Sequence, residues 1–225
     1  MDKKKRNFQR PSDSYLTHLF ARTTSVRITP LFAKTPITPL QVTFIGLIFG
    51  LIAAWIGSNH YWMCGILAAI LMETSHVLDC VDGELARLTG RGHPFAANLD
   101  PISDRIKDMA VIFSSCLQAE ELNTFGIGAA AVFKISYFSL GLWFLYLYIV
   151  DAYLNPARKK KGGNEDEIKR RVYFGLYDFF IYGSIVFWLM NKFEYFVFYV
   201  ATIATIGIPV QLIKLKSLHS ISRKS

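Results

Sequence analysis

The sequence contains few cysteines, and this scarcity already narrows the class of protein. Its three cysteines, Cys64, Cys80 and Cys116, lie in or beside apolar segments and lack the spacing of metal ligands. A disulfide framework and a zinc site are therefore excluded as the basis of the fold. The cysteines are expected to behave as small buried hydrophobic residues.

Charged residues are also scarce, at 19% of the chain, whereas hydrophobic residues make up 52% and the mean hydropathy is +0.29. This balance excludes an ordinary soluble domain and is typical of a membrane protein. Acidic residues are fewer than basic ones, which leaves a net charge of +8. In a membrane protein this excess indicates anionic lipid headgroups or phosphorylated substrates as partners, and we expect no nucleic acid.

The N-terminus lacks the apolar run that a signal peptide needs, since its first ten residues, MDKKKRNFQR, are strongly basic. Residues 11–34 then mix apolar side chains with basic ones. This pattern predicts an amphipathic helix on the membrane surface, interrupted near Pro30. A disordered basic arm is the alternative. Residues 1–34 are thus expected to form a basic arm and an interfacial helix.

Six long apolar stretches follow, and they predict an all-α, polytopic membrane protein with six transmembrane helices. The first is expected to begin at Thr38-Pro39, a helix cap followed by proline at the first helical position. Its GxxxG spacing, Gly46 and Gly50, permits close helix packing. The expected bounds of the six spans are 38–58, 61–87, 98–117, 125–148, 172–190 and 193–213.

The positive charges predict the orientation of these spans. With both termini on one side, all but two of the 25 basic residues, Lys134 and Lys192, fall on that side. Since loops rich in lysine and arginine stay in the cytoplasm, both termini are expected there. The spans would form one domain over residues 35–213, followed by a basic cytoplasmic tail at 214–225.

Four aspartates stand near the junction of the second and third spans. Asp79 and Asp82 form an i,i+3 pair, and Asp100 and Asp104 an i,i+4 pair, so each pair shares one helix face. Carboxylates beside a membrane core are costly, and four of them repel one another unless cations neutralise them. Divalent metals bound by oxygen ligands are the simplest explanation. A polar seam between helices is the alternative.

The stretch DCVDGELARLTGRGHPFAANLDPISD resembles the signature of the CDP-alcohol phosphotransferase family, D-x2-D-G-x2-A-R-x8-G-x3-D-x3-D. Besides the aspartates it carries Gly83, Ala86 and Arg87 in register. Ala96 replaces the second glycine of the signature, and Pro39 is followed by leucine where family members often have asparagine. Six spans with both termini inside is also the usual family layout, and the resemblance implies a homodimer.

The resemblance implies transfer of a substituted phosphate from a CDP-alcohol to the hydroxyl of a second alcohol, with release of CMP. It implies two Mg²⁺ ions, with Mn²⁺ as the alternative, held by Asp79, Asp82, Asp100 and Asp104. Asp104 would also act as general base on the acceptor hydroxyl. Two divalent ions so placed would offset the charge on the diphosphate and on the departing CMP.

The same resemblance places Gly83, Ala86 and Arg87 beside the cytidine diphosphate. A guanidinium can donate a fork of hydrogen bonds to phosphate, and Thr43 is a further candidate contact to the nucleotide. Other basic residues expected near the cavity suit an acceptor that bears its own phosphate: Arg91, Arg105 and Lys134.

The substrates stay open at this point. We expect a CDP-diacylglycerol-like lipid as donor and glycerol phosphate, inositol or inositol phosphate as acceptor, in phospholipid synthesis. A CDP-linked polar alcohol of the CDP-inositol type is the alternative donor. An aspartate-rich prenyltransferase normally has two separated acidic motifs and more spans. A cation transporter would not need Gly83 and Arg87 beside its aspartates.

Overall fold

The computed structural model describes residues 14–92, 94–154 and 176–222. This part of the chain contains eight α-helices and no β-strand, which confirms the all-α class. A π-helical turn, Val150–Leu154, extends the sixth helix, and a 3₁₀ turn, Phe193–Tyr195, precedes the eighth. The helices are α1 (Tyr15–Leu19), α2 (Ala21–Phe32), α3 (Pro39–Gly57), α4 (Trp62–Thr89), α5 (Pro94–Glu121), α6 (Ala129–Ile149), α7 (Leu176–Leu189) and α8 (Phe196–Ser222).

Within these described residues, four helices are long and apolar enough to cross a membrane: α3, α4, α6 with its π-helical turn, and α8 with its 3₁₀ turn. The other two predicted spans correspond to α5 and α7. Helix α7 is apolar but has 14 residues, and residues 172–175 of that span lie outside the described part. Helix α5 has 28 residues, and its first half is strongly charged. The structure therefore supports a multi-pass membrane protein with four clear candidate spans.

Helix α3 begins as predicted at Thr38-Pro39. Thr38 Oγ1 accepts a hydrogen bond from the Gln41 N–H at 3.3 Å, and Gln41 Oε1 accepts one from the Thr38 N–H at 2.9 Å. This reciprocal capping box satisfies two N–H groups at the start of the helix. Proline at the first helical position loses no intrahelical hydrogen bond.

Gly46 and Gly50 allow α3 to pack closely on its neighbours, as their spacing predicts. A Cβ atom at Gly46 would lie 3.4 Å from Leu78 Cβ of α4. One at Gly50 would lie 2.8 Å from Lys107 Cδ of α5. Helix α3 is thus held against both helices that carry the aspartates.

The connection between α4 and α5 is shorter than residues 88–97, which the predicted bounds of the second and third spans leave between them. Helix α4 continues through Thr89, and α5 already begins at Pro94. Gly90 ends α4 with φ 67°, a left-handed conformation that glycine adopts without a Cβ clash. The predicted bounds were wrong because Pro94 starts the next helix, at a position where proline loses no hydrogen bond.

Two helices, α1 and α2, occupy the region where one interfacial helix was predicted. The predicted interruption near Pro30 is wrong, because Pro30 lies inside the last turn of α2 and the break falls at Phe20 instead. Helix α2 packs against α4. Its buried residues are Ala21, Arg22, Ser25 and Thr29.

The core is aromatic where α6, α7 and α8 meet. Trp143 stacks on Phe180 with ring centroids 4.5 Å apart, and Trp188 stacks on Phe193 at 4.3 Å. Trp188 Nε1 also donates a hydrogen bond to the Gly57 carbonyl at 3.1 Å, which ties α7 to the end of α3. Each aromatic pair adds roughly 0.5–1.5 kcal/mol beyond the buried area of its rings.

Candidate metal centre

Three of the four predicted aspartates converge where α4 meets α5. One carboxylate oxygen each of Asp79, Asp82 and Asp100 lies within 4.8 Å of the other two. The i,i+3 spacing places the first two on one face of α4, and the tight turn at Gly90 brings Asp100 opposite them. Asp82 is buried, whereas Asp79 and Asp100 are half-buried.

This carboxylate group can hold a divalent metal ion. Hard divalent cations bind oxygen at about 2.0–2.6 Å, so oxygens within 4.8 Å of one another can reach a common ion. Three negative charges at this separation repel one another strongly, because the site is only partly exposed to water. A donor set made of carboxylate oxygens suits a hard cation better than zinc, which is usually bound by nitrogen and sulfur.

Thr43 of α3 orients one of these carboxylates. Its Oγ1 donates a hydrogen bond to Asp82 Oδ2 at 2.6 Å, and both side chains are buried. A ligand held in this way presents its other oxygen in a fixed direction, as outer-shell partners of metal ligands do. The sequence predicted Thr43 as a nucleotide contact, and the structure places its hydroxyl on a candidate metal ligand.

Asp104 lies beside this group and is bound by a lysine. Lys107 Nζ lies 2.9 Å from Asp104 Oδ1 and 3.8 Å from Asp79 Oδ1. Sequence reasoning counted Lys107 only as a basic residue on the cytoplasmic side. Its i+3 spacing from Asp104 was the available signal that the two side chains share a face.

Gly83, Ala86 and Arg87 lie along the last turns of α4. A Cβ atom at Gly83 would lie 3.3 Å from Arg87 Nη1, so the guanidinium reaches back over the glycine. Arg87 is exposed and Ala86 is half-buried. The structure thus brings Gly83 and Arg87 together, next to Asp82.

The basic residues predicted to bind the acceptor lie in different parts of the structure. Arg91 is exposed in the turn after α4. Arg105 is held by two carboxylates, with Nη1 3.2 Å from Asp108 Oδ2 and Nη2 3.0 Å from Asp151 Oδ2. Helix α5 is thereby linked to the π-helical turn that follows α6.

Lys134 is exposed on α6, beside a groove of about 420 Å³ whose other lining side chains are mostly apolar. Its neighbours there include Met109 and Phe113 of α5 and Phe133 and Tyr137 of α6. The described contacts do not join it to the aspartates. A role in acceptor binding therefore stays a prediction.

Sequence reasoning missed a buried polar cluster on the opposite face of α4. Glu84 Oε1 accepts hydrogen bonds from Arg22 Nη1 at 2.8 Å and from Ser25 Oγ at 2.9 Å. Its other oxygen accepts one from Thr29 Oγ1 at 2.6 Å. Arg22 also donates to the Cys80 carbonyl at 3.2 Å. These contacts fix α2 against the helix that carries two of the aspartates.

A further polar cluster joins α1, α4 and α7. Asp178 accepts hydrogen bonds from Ser14 and from Thr17, the latter at 3.0 Å. Thr17 Oγ1 also lies 3.2 Å from His76 Nε2, and the His76 ring meets the Tyr182 ring edge-on. Helix α1 is therefore anchored to α4 and α7 through buried and half-buried polar contacts.

The likeness to known proteins extends well beyond the aspartate hairpin. The profile of the CDP-alcohol phosphatidyltransferase family matches residues 36–210, which include α3 to α7 and the first half of α8. The chain belongs to this family. Members of the CDP-alcohol phosphatidyltransferase family use a divalent metal, and Asp79, Asp82 and Asp100 are placed to hold one.

Individual relatives agree with the family. An archaetidylinositol phosphate synthase of Pyrococcus horikoshii is 37% identical over 91 residues, which cover 40% of this chain and 47% of that protein. A bifunctional IPC transferase and DIPP synthase of Aquifex aeolicus is 31% identical over 100 residues, covering 44% and 22%. A phosphatidylinositol phosphate synthase of Corynebacterium glutamicum is 36% identical over 86 residues, covering 37% of each chain. Each match thus spans less than half of the relative's length.

Proposed function

We propose that this protein transfers a substituted phosphate group from a CDP-alcohol to the hydroxyl of a second alcohol, with release of CMP, in phospholipid synthesis. The observation that carries the proposal is the convergence of Asp79, Asp82 and Asp100 at one point in a chain of this family. A diphosphate is a ligand that such a carboxylate group binds well through a shared cation.

A CDP-diacylglycerol-like lipid is the donor that we favour, with inositol phosphate as acceptor. Two relatives are named as synthases of archaetidylinositol phosphate and of phosphatidylinositol phosphate, and both names describe a phosphorylated inositol lipid. Glycerol phosphate and inositol are further acceptors to test. A CDP-linked polar alcohol is the alternative donor.

The residues of the site would have separate tasks. The three converging aspartates would hold Mg²⁺, or Mn²⁺ as the alternative, and the ion when bound would offset the negative charge of the diphosphate and of the departing CMP. Asp104 would take the proton from the attacking hydroxyl. Arg87 would donate to the diphosphate above Gly83, where the missing side chain lets the substrate approach the backbone, and Ala86 would border the same moiety.

Arg105 is the best supported of the proposed acceptor contacts. It follows Asp104 directly in α5, and its partner Asp151 is exposed, so an arriving phosphate could replace that carboxylate. Guanidinium groups bind phosphate in a bidentate manner. Arg91 and Lys134 stay weaker candidates for the same role.

We further propose that α5 and α7 complete six spans over residues 35–213, with the basic arm at 1–34, the tail at 214–225 and the site all at the cytoplasmic face. The distribution of positive charge supports this orientation. A homodimer is the assembly that the family resemblance favours.

Two exposed lysines test this orientation. In a variant whose three native cysteines are replaced, Lys192→Cys should react with a membrane-impermeant thiol reagent in intact cells. Lys214→Cys should react only after the membrane is permeabilised. The reverse pattern would contradict the cytoplasmic site.

The activity itself is tested by measuring CMP. Purified protein in vesicles with Mg²⁺ is given CDP-diacylglycerol and each acceptor in turn, with a CDP-linked polar alcohol as the second donor. CMP release that requires both donor and acceptor is expected, and Asp82→Asn is expected to abolish it. If protein that binds the cation releases CMP with none of the donor–acceptor pairs, the proposal is contradicted. A transporter or a prenyltransferase is then favoured.

A further inference from the structure

Asp104, the fourth predicted aspartate, forms an ion pair with a lysine and lies outside the three-carboxylate group. Lys107 Nζ lies 2.9 Å from Asp104 Oδ1 and 3.8 Å from Asp79 Oδ1. Among the described residues, the carboxylates that converge within 4.8 Å are Asp79, Asp82 and Asp100, without Asp104. The centre therefore divides into a three-carboxylate part and a lysine–carboxylate part, which meet at Asp79.

We infer that Lys107 takes the place of a second divalent cation, so that this centre works with one metal ion and one ammonium group. The inference rests on the proposed function, because both concern the same cation centre. It differs from the proposed function in specifying the number of metal ions. One ion is inferred, whereas the family resemblance implies two.

The lysine is buried, and its stem lies directly against α3. Lys107 is 8% exposed, and its stem lies so close to α3 that a Cβ atom at Gly50 would be 2.9 Å from its Cγ and 2.8 Å from its Cδ. Glycine at position 50 therefore provides the space in which the stem lies. The main chain of α3 on that side prevents the stem from moving toward it when a cation arrives.

The next acidic residue of α5 does not draw the ammonium away. Asp108 Oδ2 accepts hydrogen bonds from Trp143 Nε1 at 2.9 Å and from Arg105 Nη1 at 3.2 Å. Asp108 thus has its own donors on the side of α6. The ammonium of Lys107 is left to pair with Asp104 and Asp79.

Charge explains why a second ion would be excluded. A divalent cation bound between Asp104 and Asp79 would lie within a few ångströms of the ammonium group, and at that distance the two would repel each other strongly in a site that is only partly exposed to water. The ammonium already supplies positive charge and an N–H donor to Asp104. This contact fixes the direction of the carboxylate that would receive the proton of the acceptor hydroxyl.

Counting bound Mn²⁺ tests the inference without any substrate. The purified full-length protein in detergent is titrated with Mn²⁺, and the ions bound per chain are measured from the loss of the electron paramagnetic resonance signal of free Mn²⁺. One ion per chain is expected for the unmodified protein, and two for Lys107→Met, which keeps a similar stem and removes the charge. Lys214→Met, the same exchange at an exposed position of α8, is expected to bind one.

Each other outcome has a defined meaning. Two ions in the unmodified protein, one ion in both proteins, or none at all would overturn the inference. Lys107→Gln replaces the methionine variant if the latter does not elute as a single folded species. CMP release is measured and interpreted separately from the number of bound ions. If the unmodified protein binds two ions and releases CMP, only the role of Lys107 is contradicted. If it binds one ion and releases no CMP, only the proposed reaction is contradicted.

Discussion

Two buried carboxylates of α4, Asp82 and Glu84, stand two positions apart and have opposite surroundings. Asp82 is 3% exposed and lies among other carboxylates, with Thr43 as a hydrogen-bond donor. Glu84 is 0% exposed and is surrounded by donors from α2, namely Arg22, Ser25 and Thr29. Two helical positions differ by about 200° around the axis, so the side chains leave α4 on opposite faces.

The comparison shows that burial alone does not distinguish a functional carboxylate from a structural one. Glu84 has a guanidinium and two hydroxyls on its oxygens, so its charge is balanced inside the protein. Asp82 has further negative charge beside it, and a bound cation is expected to balance that charge. We therefore expect the face of α4 toward α5 to be the functional face and the face toward α2 to be the structural one.

The largest expected effect is on turnover and belongs to the functional face. Asp104→Asn keeps the shape of the side chain and an oxygen for Lys107, but it removes the base. Proton transfer by a positioned group contributes about 10²–10⁴-fold, so the rate of CMP release should fall by roughly that factor. Affinity for the CDP donor with Mg²⁺ should stay near normal. Calorimetry and CMP release at saturating substrate measure the two quantities.

Asp82→Asn is the matched comparison for this variant. It removes a candidate metal ligand, so both donor affinity and turnover should fall. If Asp104→Asn abolishes donor binding while Asp82→Asn leaves it intact, the roles of the two aspartates have been assigned the wrong way round.

The next effect is on stability and belongs to the structural face. Glu84→Ala leaves the buried guanidinium of Arg22 without its carboxylate, which should cost about 3–5 kcal/mol of folding free energy. We expect a clear fall in the thermal unfolding midpoint, followed by tryptophan fluorescence in detergent. The rate of CMP release per folded molecule should change by less than tenfold.

The double variant Arg22→Met/Glu84→Met provides the control. Replacing both charges with apolar groups should restore much of the lost stability, since buried ion pairs often contribute little beyond well-packed apolar residues. If Glu84→Ala protein is stable but releases no CMP, Glu84 has a functional role and the structural assignment is wrong.

The two faces also differ in how far the sequence could predict them. The aspartates lie on consecutive helices joined by a tight turn, so spacing and the cost of clustered charge were enough to bring them together. The partners of Glu84 lie 55 to 62 positions earlier in the chain. Nothing in the local pattern of α2 indicated which helix its buried face would meet. The sequence therefore predicted an interfacial helix but not its packing against α4.

Lys107 was missed in the sequence for a different reason. Its spacing from Asp104 was visible, but one lysine among many basic residues gives no sign that its stem will lie against α3. That contact depends on Gly50, whose missing side chain was interpreted only as a helix-packing feature. The length of α5 was also underestimated, because the predicted span begins at residue 98 whereas the helix begins at Pro94.

A smaller effect should come from the support given to Asp82 by α3. Thr43→Val keeps the volume of the side chain and removes the donor to Asp82 Oδ2. Loss of an outer-shell hydrogen bond typically weakens metal affinity by about 10–100-fold. Titration with Mn²⁺ should show this loss with an unchanged number of ions. If affinity is unchanged while affinity for the CDP donor falls, Thr43 contacts the nucleotide, as the sequence predicted.

The smallest effect is expected at the one position where the chain departs from the family signature. Ala96 lies in the first turn of α5, four residues before Asp100. Ala96→Gly removes one methyl group and no ligand, so its cost should be at most about 1 kcal/mol, the difference in helix propensity between the two residues. CMP release and Mn²⁺ affinity should both stay within about fivefold of the unmodified protein, since about 1 kcal/mol corresponds to a factor of about five in any equilibrium. The sensitive measurement is the thermal unfolding midpoint, which should shift by only a few degrees. Complete loss of CMP release from folded Ala96→Gly protein would mean that the start of α5, and not only its aspartates, determines the geometry of the functional face.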